Sequence, residues 1–219
     1  MSTRTMLDKD LIRLKQLLLE MVQLSKTAVE EAVHSLATQD IEKAQHIIKA
    51  DFEINELEEK INNLVIQLIA QQQPVASDLR KIIAALKISS DVERIGDLAV
   101  NIAKSILHIG NGPLIKPIVD IPRMADMALA MLKDVIQAYY EEDIELAIRT
   151  ADADDAVDTL YGKLIKELLE LMTSHPESIS QITQLSFICR HIERVADHTT
   201  NMAEHIIYMV KGKKIDLNA

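Results

Sequence analysis

Apolar residues recur along this chain at three- and four-residue spacing in long unbroken runs, the signature of amphipathic helices rather than strands. Leu11, Leu14, Leu18, Met21, Val22, Val29, Val33 and Leu36 place a first helix at about 7–37. Asp40 is positioned to cap a second helix, which Ile47, Ile54, Leu57, Ile61, Leu64 and Leu68 carry to about residue 70 before Gln71-Gln72-Gln73-Pro74 breaks it. Ser77 is the expected cap of a third, with Ile82, Leu86, Val92, Ile95, Ile102 and Ile106 on its apolar face. Gly110-Asn111-Gly112-Pro113, Pro117 and Pro122 then form the longest stretch without helical periodicity. Beyond it the pattern returns as helices at about 122–140, 143–172 and 179–210, with Pro122 in a first turn, Ser174-His175-Pro176 as a breaker and Ser178 as a cap.

The second set of three repeats the first in detail. Residues 92–106 read V-E-R-I-G-D-L-A-V-N-I-A-K-S-I and residues 192–206 read I-E-R-V-A-D-H-T-T-N-M-A-E-H-I. Glu93, Arg94, Asp97, Asn101, Ala103 and Ile106 return as Glu193, Arg194, Asp197, Asn201, Ala203 and Ile206. Upstream, Asp51, Ile54, Asn55 and Leu57 match Asp154, Val157, Asp158 and Leu160 at an offset of 103 rather than 100, so the loop inside the second copy is three residues shorter. Short connections make consecutive helices antiparallel neighbours. The expected fold is therefore all-α, two tandem pseudo-symmetric three-helix bundles, divided as 1–110, a linker at 111–121, and 122–219.

The repeated letters are polar, which packing alone does not demand. Residues four apart share a helix face, about 6 Å apart along the axis. Glu93 with Asp97 and Glu193 with Asp197 are such pairs, as are Asp51 with Asn55 and Asp154 with Asp158. In an antiparallel hairpin, residues facing each other share a midpoint. The numbers of Asp51 and Asp97 average to 74, as do those of Asn55 and Glu93; Asp154 with Asp197 and Asp158 with Glu193 both average to 175.5. Those midpoints fall on Pro74 and on His175-Pro176, where the breakers stand. Each bundle should thus gather oxygen groups from two helices: Asp51, Asn55, Glu93 and Asp97 in the first, and Asp154, Asp158, Glu193 and Asp197 in the second.

Clustered carboxylates need a counter-charge. Arg94 and Arg194 are at hand, and a hard or borderline metal ion prefers carboxylate oxygen, so more than one ion per patch is conceivable chemically. The ordinary alternative is a solvated acidic face with Arg94 to Asp97 as a simple i,i+3 ion pair. Asn101 and Asn201 are more often packing groups than ligands and rank behind the carboxylates.

Composition excludes several function classes. Nearly half of the residues are apolar, so the chain has a core to bury, and with no Trp and only two Phe that core is aliphatic. Net charge is −10, with 13 basic against 16 acidic residues up to position 110 and 11 against 18 after it, so neither half offers the basic footprint of nucleic-acid binding. A single cysteine, Cys189, forms no intramolecular disulfide, no apolar run approaches a membrane span, and Asp8, Lys9 and Asp10 interrupt any leader-like segment. A cytoplasmic protein is expected.

At the duplicated E-R-x-x-D-x-x-x-N of 93–101 and 193–201, and the D-x-x-[IV]-[ND]-x-L of 51–57 and 154–160, the chain resembles the PhoU family of phosphate-specific transport accessory and regulatory proteins. The resemblance runs over essentially the whole length. It implies paired three-helix bundles, metal motifs at Glu93 with Asp97 and Glu193 with Asp197, and iron, zinc or related ions as ligands; manganese and magnesium fit the same carboxylate chemistry. It also implies a homodimer without catalytic activity that links the ATPase of a phosphate ABC transporter to a sensor histidine kinase and represses the starvation response when phosphate is plentiful. Asn55 against Asp158 suggests unequal sites.

Enzymatic alternatives find less support. A ferritin-like di-iron site needs two Glu-x-x-His motifs, and only Glu31-Ala32-Val33-His34 is present. Cys189 and His191 are two apart on a helix and face different ways. No phosphate-binding G-x-x-x-x-G-K-[ST] loop occurs. Gly96, aligned with Ala196, reads as a small packing residue, and Lys211-Gly212-Lys213-Lys214 as a cationic helix terminus. A helical interaction module that uses its acidic patches against basic protein surfaces remains the second reading.

Overall fold

A leucine-, isoleucine- and alanine-rich chain with few breakers builds long rods, and a computed structural model describes them over residues 3–217. Outside that range lie residues 1–2 and 218–219, the extremes of the two expected units. The order is α1 (Thr3–Thr38), α2 (Ile41–Ala50), α3 (Phe52–Gln72), α4 (Ala76–Ile109), α5 (Asp120–Glu141), α6 (Ile144–Asp152), α7 (Asp154–Ser174), a 3-10 turn (Pro176–Ser178) and α8 (Ile179–Lys211). With α2–α3 and α6–α7 each counted as one bent rod, the described residues form six rods in two three-helix bundles.

The bends correct the expectation of single helices at 40–70 and 143–172. Neither Gly nor Pro marks them. At the first, the Asp51 carbonyl accepts from both Ile54 N–H (3.1 Å) and Asn55 N–H (3.3 Å), while Asp51 keeps right-handed angles. At the second, Ala153 N–H is shared between the carbonyls of Arg149 (3.2 Å) and Thr150 (3.3 Å). Both are one-residue tightenings of the ladder toward 3-10 geometry.

The rod ends also repeat. Gln39 and Glu142 adopt left-handed angles (φ 55° and 56°), and the next N–H reaches back five residues, Asp40 to Ser35 and Asp143 to Ala138, each at 3.0 Å. Each aspartate then caps the following helix, Asp40 accepting from Lys43 N–H (2.9 Å) and Asp143 from Leu146 N–H (3.0 Å). The other two expected caps fail. Ser77 lies inside α4, which starts from Val75, and Ser178 stands at the cap position of α8 with no capping bond. Helix α5 starts at Asp120, two residues before Pro122, which is tolerated in the first turn.

The two bundles share one apolar core. Helices α4 and α8 are buried on more than one face, through Ile82, Ala85, Ile88, Val92, Ile95 and Ala99 in the one and Ile182, Leu185, Ile188, Ile192 and Ala196 in the other. Their alanines allow close approach, and the two helices pack against each other along the centre. Two cross-links set them antiparallel: Arg80 Nε donates to the Met209 carbonyl (3.2 Å), and His198 Nδ1 to Asp91 Oδ1 (3.0 Å). Helix α1 packs on α5, where the Tyr140 hydroxyl donates to the Lys15 carbonyl (2.7 Å). Within each bundle the bent rod lies beside the central helix and carries its acidic residues there.

Candidate functional site

The first acidic cleft is built from the bend of the second rod and the middle of α4. Asp51 stands at the bend, where Asn55 Nδ2, one turn on, donates to its Oδ2 (3.1 Å). Across the hairpin, Arg94 Nε approaches Glu93 Oε2 (3.3 Å) and its Nη1 approaches Asp97 Oδ2 (3.0 Å). Asp51 and Asp97 lie close enough for their charges to act on each other. Burial pushes Asp51 up from the usual carboxylate range, the Asn55 bond opposes it and Asp97 adds to it. Glu93 is likewise raised, by burial first and then by Asp97, Glu58 and Asp51, against the pull of Arg94.

Glu58 is a residue the sequence reading passed over. It continues the Asp51–Asn55 stripe at i+7, which is the signal that would have found it. Its charge acts on Glu93 together with those of Asp97 and Asp51, so the first cleft carries a further acid besides the ones expected, while Asn55 still stands where the second copy has Asp158. In the second bundle the position of Glu58 is taken by Tyr161. Gly96 fits the packing role: a Cβ there would stand 2.9 Å from Ile54 Cδ1 and 3.6 Å from Asp51 Oδ1. A mainly apolar cavity of 190 Å³ adjoins Asp51, with Glu31 and His46 on its wall.

The cavity at the second cleft is larger than that at the first. Asp154 and Asp155 open α7, Asp158 follows one turn on, and with Asp197, Asn201, Ala151 and Leu217 they line a cavity of 470 Å³. Glu193 lies beside them, with only 6% of its surface exposed. Its Oε2 is buried with no hydrogen-bond partner, whereas the Thr200 hydroxyl lies beside Asp154 and draws that carboxyl back toward its usual range. Burial, then Asp197, push Glu193 up to about 7 despite Arg190. Burial, then Asp158 and Asp197, push Asp154 up to about 6. Asp197 is raised as well, by burial in the first place, with Arg190 opposing.

Arg194 does not take the part of Arg94. Among the described residues it makes no ion pair with the cleft carboxylates; Arg190, one turn earlier, binds Glu193 through Nη1 and lies 6.0 Å from the centre of the Tyr161 ring. Asn101 is half-buried one turn beyond Asp97, while its counterpart Asn201 lines the second cavity.

Buried polar atoms without partners are rare, and each asks for an explanation such as a missing ion. Hard cations suit this all-oxygen donor set. Among the described residues, however, no three His, Cys, Asp or Glu side chains already converge as a closed ligand set. The carboxylates line open cavities, so an ion would have to draw them in.

Two further features lie apart from the clefts. Asp91, between the bundles, receives His198 Nδ1 on one oxygen (3.0 Å) and has His205 Nε2 beside the other (3.3 Å). Cys189 is fully buried and its thiol is pushed up to about 12, chiefly by burial, so no thiolate nucleophile is available there.

An all-α body of two like bundles, each with a carboxylate cleft between its bent rod and its central helix, defines a duplicated helical scaffold class. The chain belongs to the PhoU family: the PhoU domain matches it twice, over residues 18–106 and 121–206. It is 40% identical over 218 residues to the phosphate-specific transport system accessory protein PhoU homolog of Clostridium acetobutylicum, covering 99% of both chains. The homolog of the same description in Aquifex aeolicus is 38% identical, over 94% of this chain and 93% of that one. The crystal structure of the phosphate transport system regulatory protein PhoU from Streptococcus pneumoniae superposes with a TM-score of 0.90 at 34% identity, over 96% and 99% of the two chains. That of PhoU from Pseudomonas aeruginosa gives 0.89 at 32% identity, over 94% and 99%.

Proposed function

We propose that this chain regulates phosphate uptake and phosphate-starvation signalling from the cytoplasm, as a cation-binding helical scaffold rather than a catalyst. In this reading it stands between the ATPase of a phosphate ABC transporter and a sensor histidine kinase, and holds the kinase in its repressing state when phosphate is plentiful. The observation that carries the transport role is end-to-end similarity to phosphate-specific transport system accessory proteins. No helix among the described residues is long and apolar enough to cross a membrane, so contact with a transporter would be made from its surface. The kinase link and a homodimeric state rest on the family resemblance.

The cation part rests on the second cleft, where Glu193 leaves a buried carboxylate oxygen unpartnered beside Asp154, Asp158 and Asp197. Glu193, Asp197, Asp154 and Asp158 would hold the ion there, and Asp51, Glu93, Asp97 and Glu58 in the first bundle. Bound ions would cancel the repulsion among the acids and fix the bent rod to the central helix. Iron, zinc, manganese and magnesium all fit such oxygen donors.

Cells lacking their own copy of such a regulator provide the test. A phosphate-starvation reporter should be silent in phosphate-rich medium when this chain is supplied and constitutively active without it; equal reporter activity in both would end the regulatory reading. The amide variant Glu93→Gln, Asp97→Asn, Glu193→Gln, Asp197→Asn tests the cation. Elemental analysis should show metal in the unaltered protein and not in the variant, with repression lost in parallel.

The open ligand set and the Arg94 bridge from Glu93 to Asp97 favour a second reading, an interaction module in which ions are incidental. Under it the amide variant loses metal but still captures the transporter ATPase and the kinase.

A further inference from the structure

We infer that Lys15, at the join between the two bundles, is a modification site that small acyl phosphates acylate in preference to the exposed lysines of the chain. Neither acidic cleft takes part, and no cation is needed. Lys15 belongs to α1, and its half-buried side chain reaches the end of α5, where its ammonium lies 5.5 Å from the centres of both the Tyr139 and the Tyr140 rings. The two rings stand edge to face, 5.9 Å apart. The nearest acid is already taken: the Lys81 ammonium, from α4, donates to Glu142 Oε1, while Lys15 forms no ion pair with a described residue. Lys15, Lys81, Tyr139, Leu11 and Leu14 wall a cavity of 260 Å³. Asp8 shares the wall but has an interaction of its own.

An amine attacks an acyl group only after losing its proton, and a desolvated lysine beside another cation loses it most readily. Both conditions hold here. Burial pushes Lys15 down from the usual lysine range; Glu142 opposes it and Lys81 adds to it. The two rings attract the group and fix it at the cavity wall, so the nitrogen is held in one place instead of sweeping through solvent.

In the reaction the nitrogen lone pair attacks the carbonyl carbon of the acyl phosphate. The C–N bond forms and the C–O bond to phosphate breaks. The phosphate leaves with that electron pair and takes up the proton that the nitrogen loses. Lys81 has three N–H donors, of which Glu142 engages one, so it can donate to the departing phosphate. The product replaces a half-buried cation with a neutral amide, whose acyl carbons have room beside Leu11, Leu14 and the Tyr139 ring. The Tyr140 hydroxyl bonds the main-chain carbonyl of Lys15, not its amine, so α1 stays on α5. Acylation thus changes the charge at the join without undoing it.

The full chain is incubated with acetyl phosphate in mildly alkaline buffer, and acetylation of each lysine is followed over time by peptide mass spectrometry. Lys60 and Lys163, with more than half of their side chains exposed, serve as references. Lys15 should react several times faster than either, and the preference should vanish in urea. Glu142→Gln removes the charge that holds the proton on Lys15 and should speed its reaction. Lys81→Gln removes the repelling cation, frees Glu142 and should slow it. The repeat already carries both replacements, Gln39 at the place of Glu142 with the same left-handed angle and Gln181 at the place of Lys81, so the fold accommodates them. Labelling of Lys15 no faster than the references would overturn the proposal. So would a preference that survives in urea, or rates that move in the same direction in both variants, as a merely loosened structure would give.

Discussion

Asp91 on α4 binds His198 on α8 at 3.0 Å, joining a carboxylate from the first copy of the repeat to an imidazole from the second. His205, two turns further along α8, reaches the other oxygen at 3.3 Å. Burial alone would push the Asp91 carboxyl up, but the hydrogen bonds and charge of the two histidines outweigh it and hold the carboxyl below its usual range. A carboxyl depressed in the folded state stabilises the fold above its unfolded value, about 3.9, and loses that contribution as pH falls through the lower folded value. At pH 7 the contribution is therefore present. Asp91→Asn keeps the shape and removes the charge, which should cost about 1.5–3 kcal/mol in urea unfolding at pH 7. A change within the noise of the assay would mean that the Asp91–His198 pair adds nothing to the join between the bundles.

The two helix caps test the duplication energetically. Asp40 and Asp143 meet the same N–H three residues on, with the same left-handed residue before them. Asp40→Ala and Asp143→Ala should each destabilise the protein by about 1 kcal/mol. Because the sites are far apart along different rods, the double variant should show the sum. A large excess in the double variant would reveal coupling between the bundles that the caps do not explain.

The cap at Asp40 was legible in the sequence because capping is local, and an aspartate directly before an apolar-periodic run needs no tertiary information; Asp143 carries the same signal but was read only as the start of its helix. The six rods, the turn centres at Pro74 and at His175-Pro176, and the facing of Asp51 with Asp97 and Asp154 with Asp197 were legible for a similar reason, since period and index arithmetic fix them. The bends at Asp51 and Ala153 carry no Gly or Pro and arise from shared carbonyl bonds, so no letter announced them. The serines at 77 and 178 look like caps, yet the turns that precede them determine where the helices begin. The preference for Arg190 over Arg194 depends on which way a long side chain leans across Tyr161. Contacts between copies, such as Asp91 with His198, and the tie of Leu217 to Glu204 join residues 107 and 13 positions apart and leave no periodic trace.

The acidic clefts should make the cation-free protein less stable as pH rises. Glu193 at about 7 and Asp154 at about 6 both lie above their unfolded values, so the folded state holds protons that the unfolded state releases. The stabilisation is complete below about pH 4, the unfolded carboxylate range, and is lost as pH rises through the folded values. In excess chelator the melting temperature should therefore be higher at about pH 5.5 than at about pH 8. Glu193→Gln with Asp154→Asn should flatten that slope. Saturating Mn²⁺ should reverse it, because cations compete with protons for the same oxygens; at one hundred times its dissociation constant a ligand adds about 2.7 kcal/mol. A chelated protein that melts higher at the alkaline end of that range would contradict the burial of these acids.

Arg190 should affect the empty and the loaded protein in opposite senses. Its guanidinium binds Glu193 and leans on the Tyr161 ring, and it opposes the upward push on both Glu193 and Asp197. Half of the Arg190 side chain is exposed, so solvent screens the pair, and Arg190→Ala should cost about 1 kcal/mol of stability in chelator at about pH 8. The same substitution leaves the second cleft more negative by one charge, which should tighten Mn²⁺ binding there severalfold. The effect should shrink in high salt, because the cleft is open to solvent on one side. Arg194→Ala, which breaks no such pair, should change both quantities less. Calorimetric titration of the two variants separates the cases: weaker binding in Arg190→Ala would mean that the guanidinium positions Glu193 for the ion instead of competing with it.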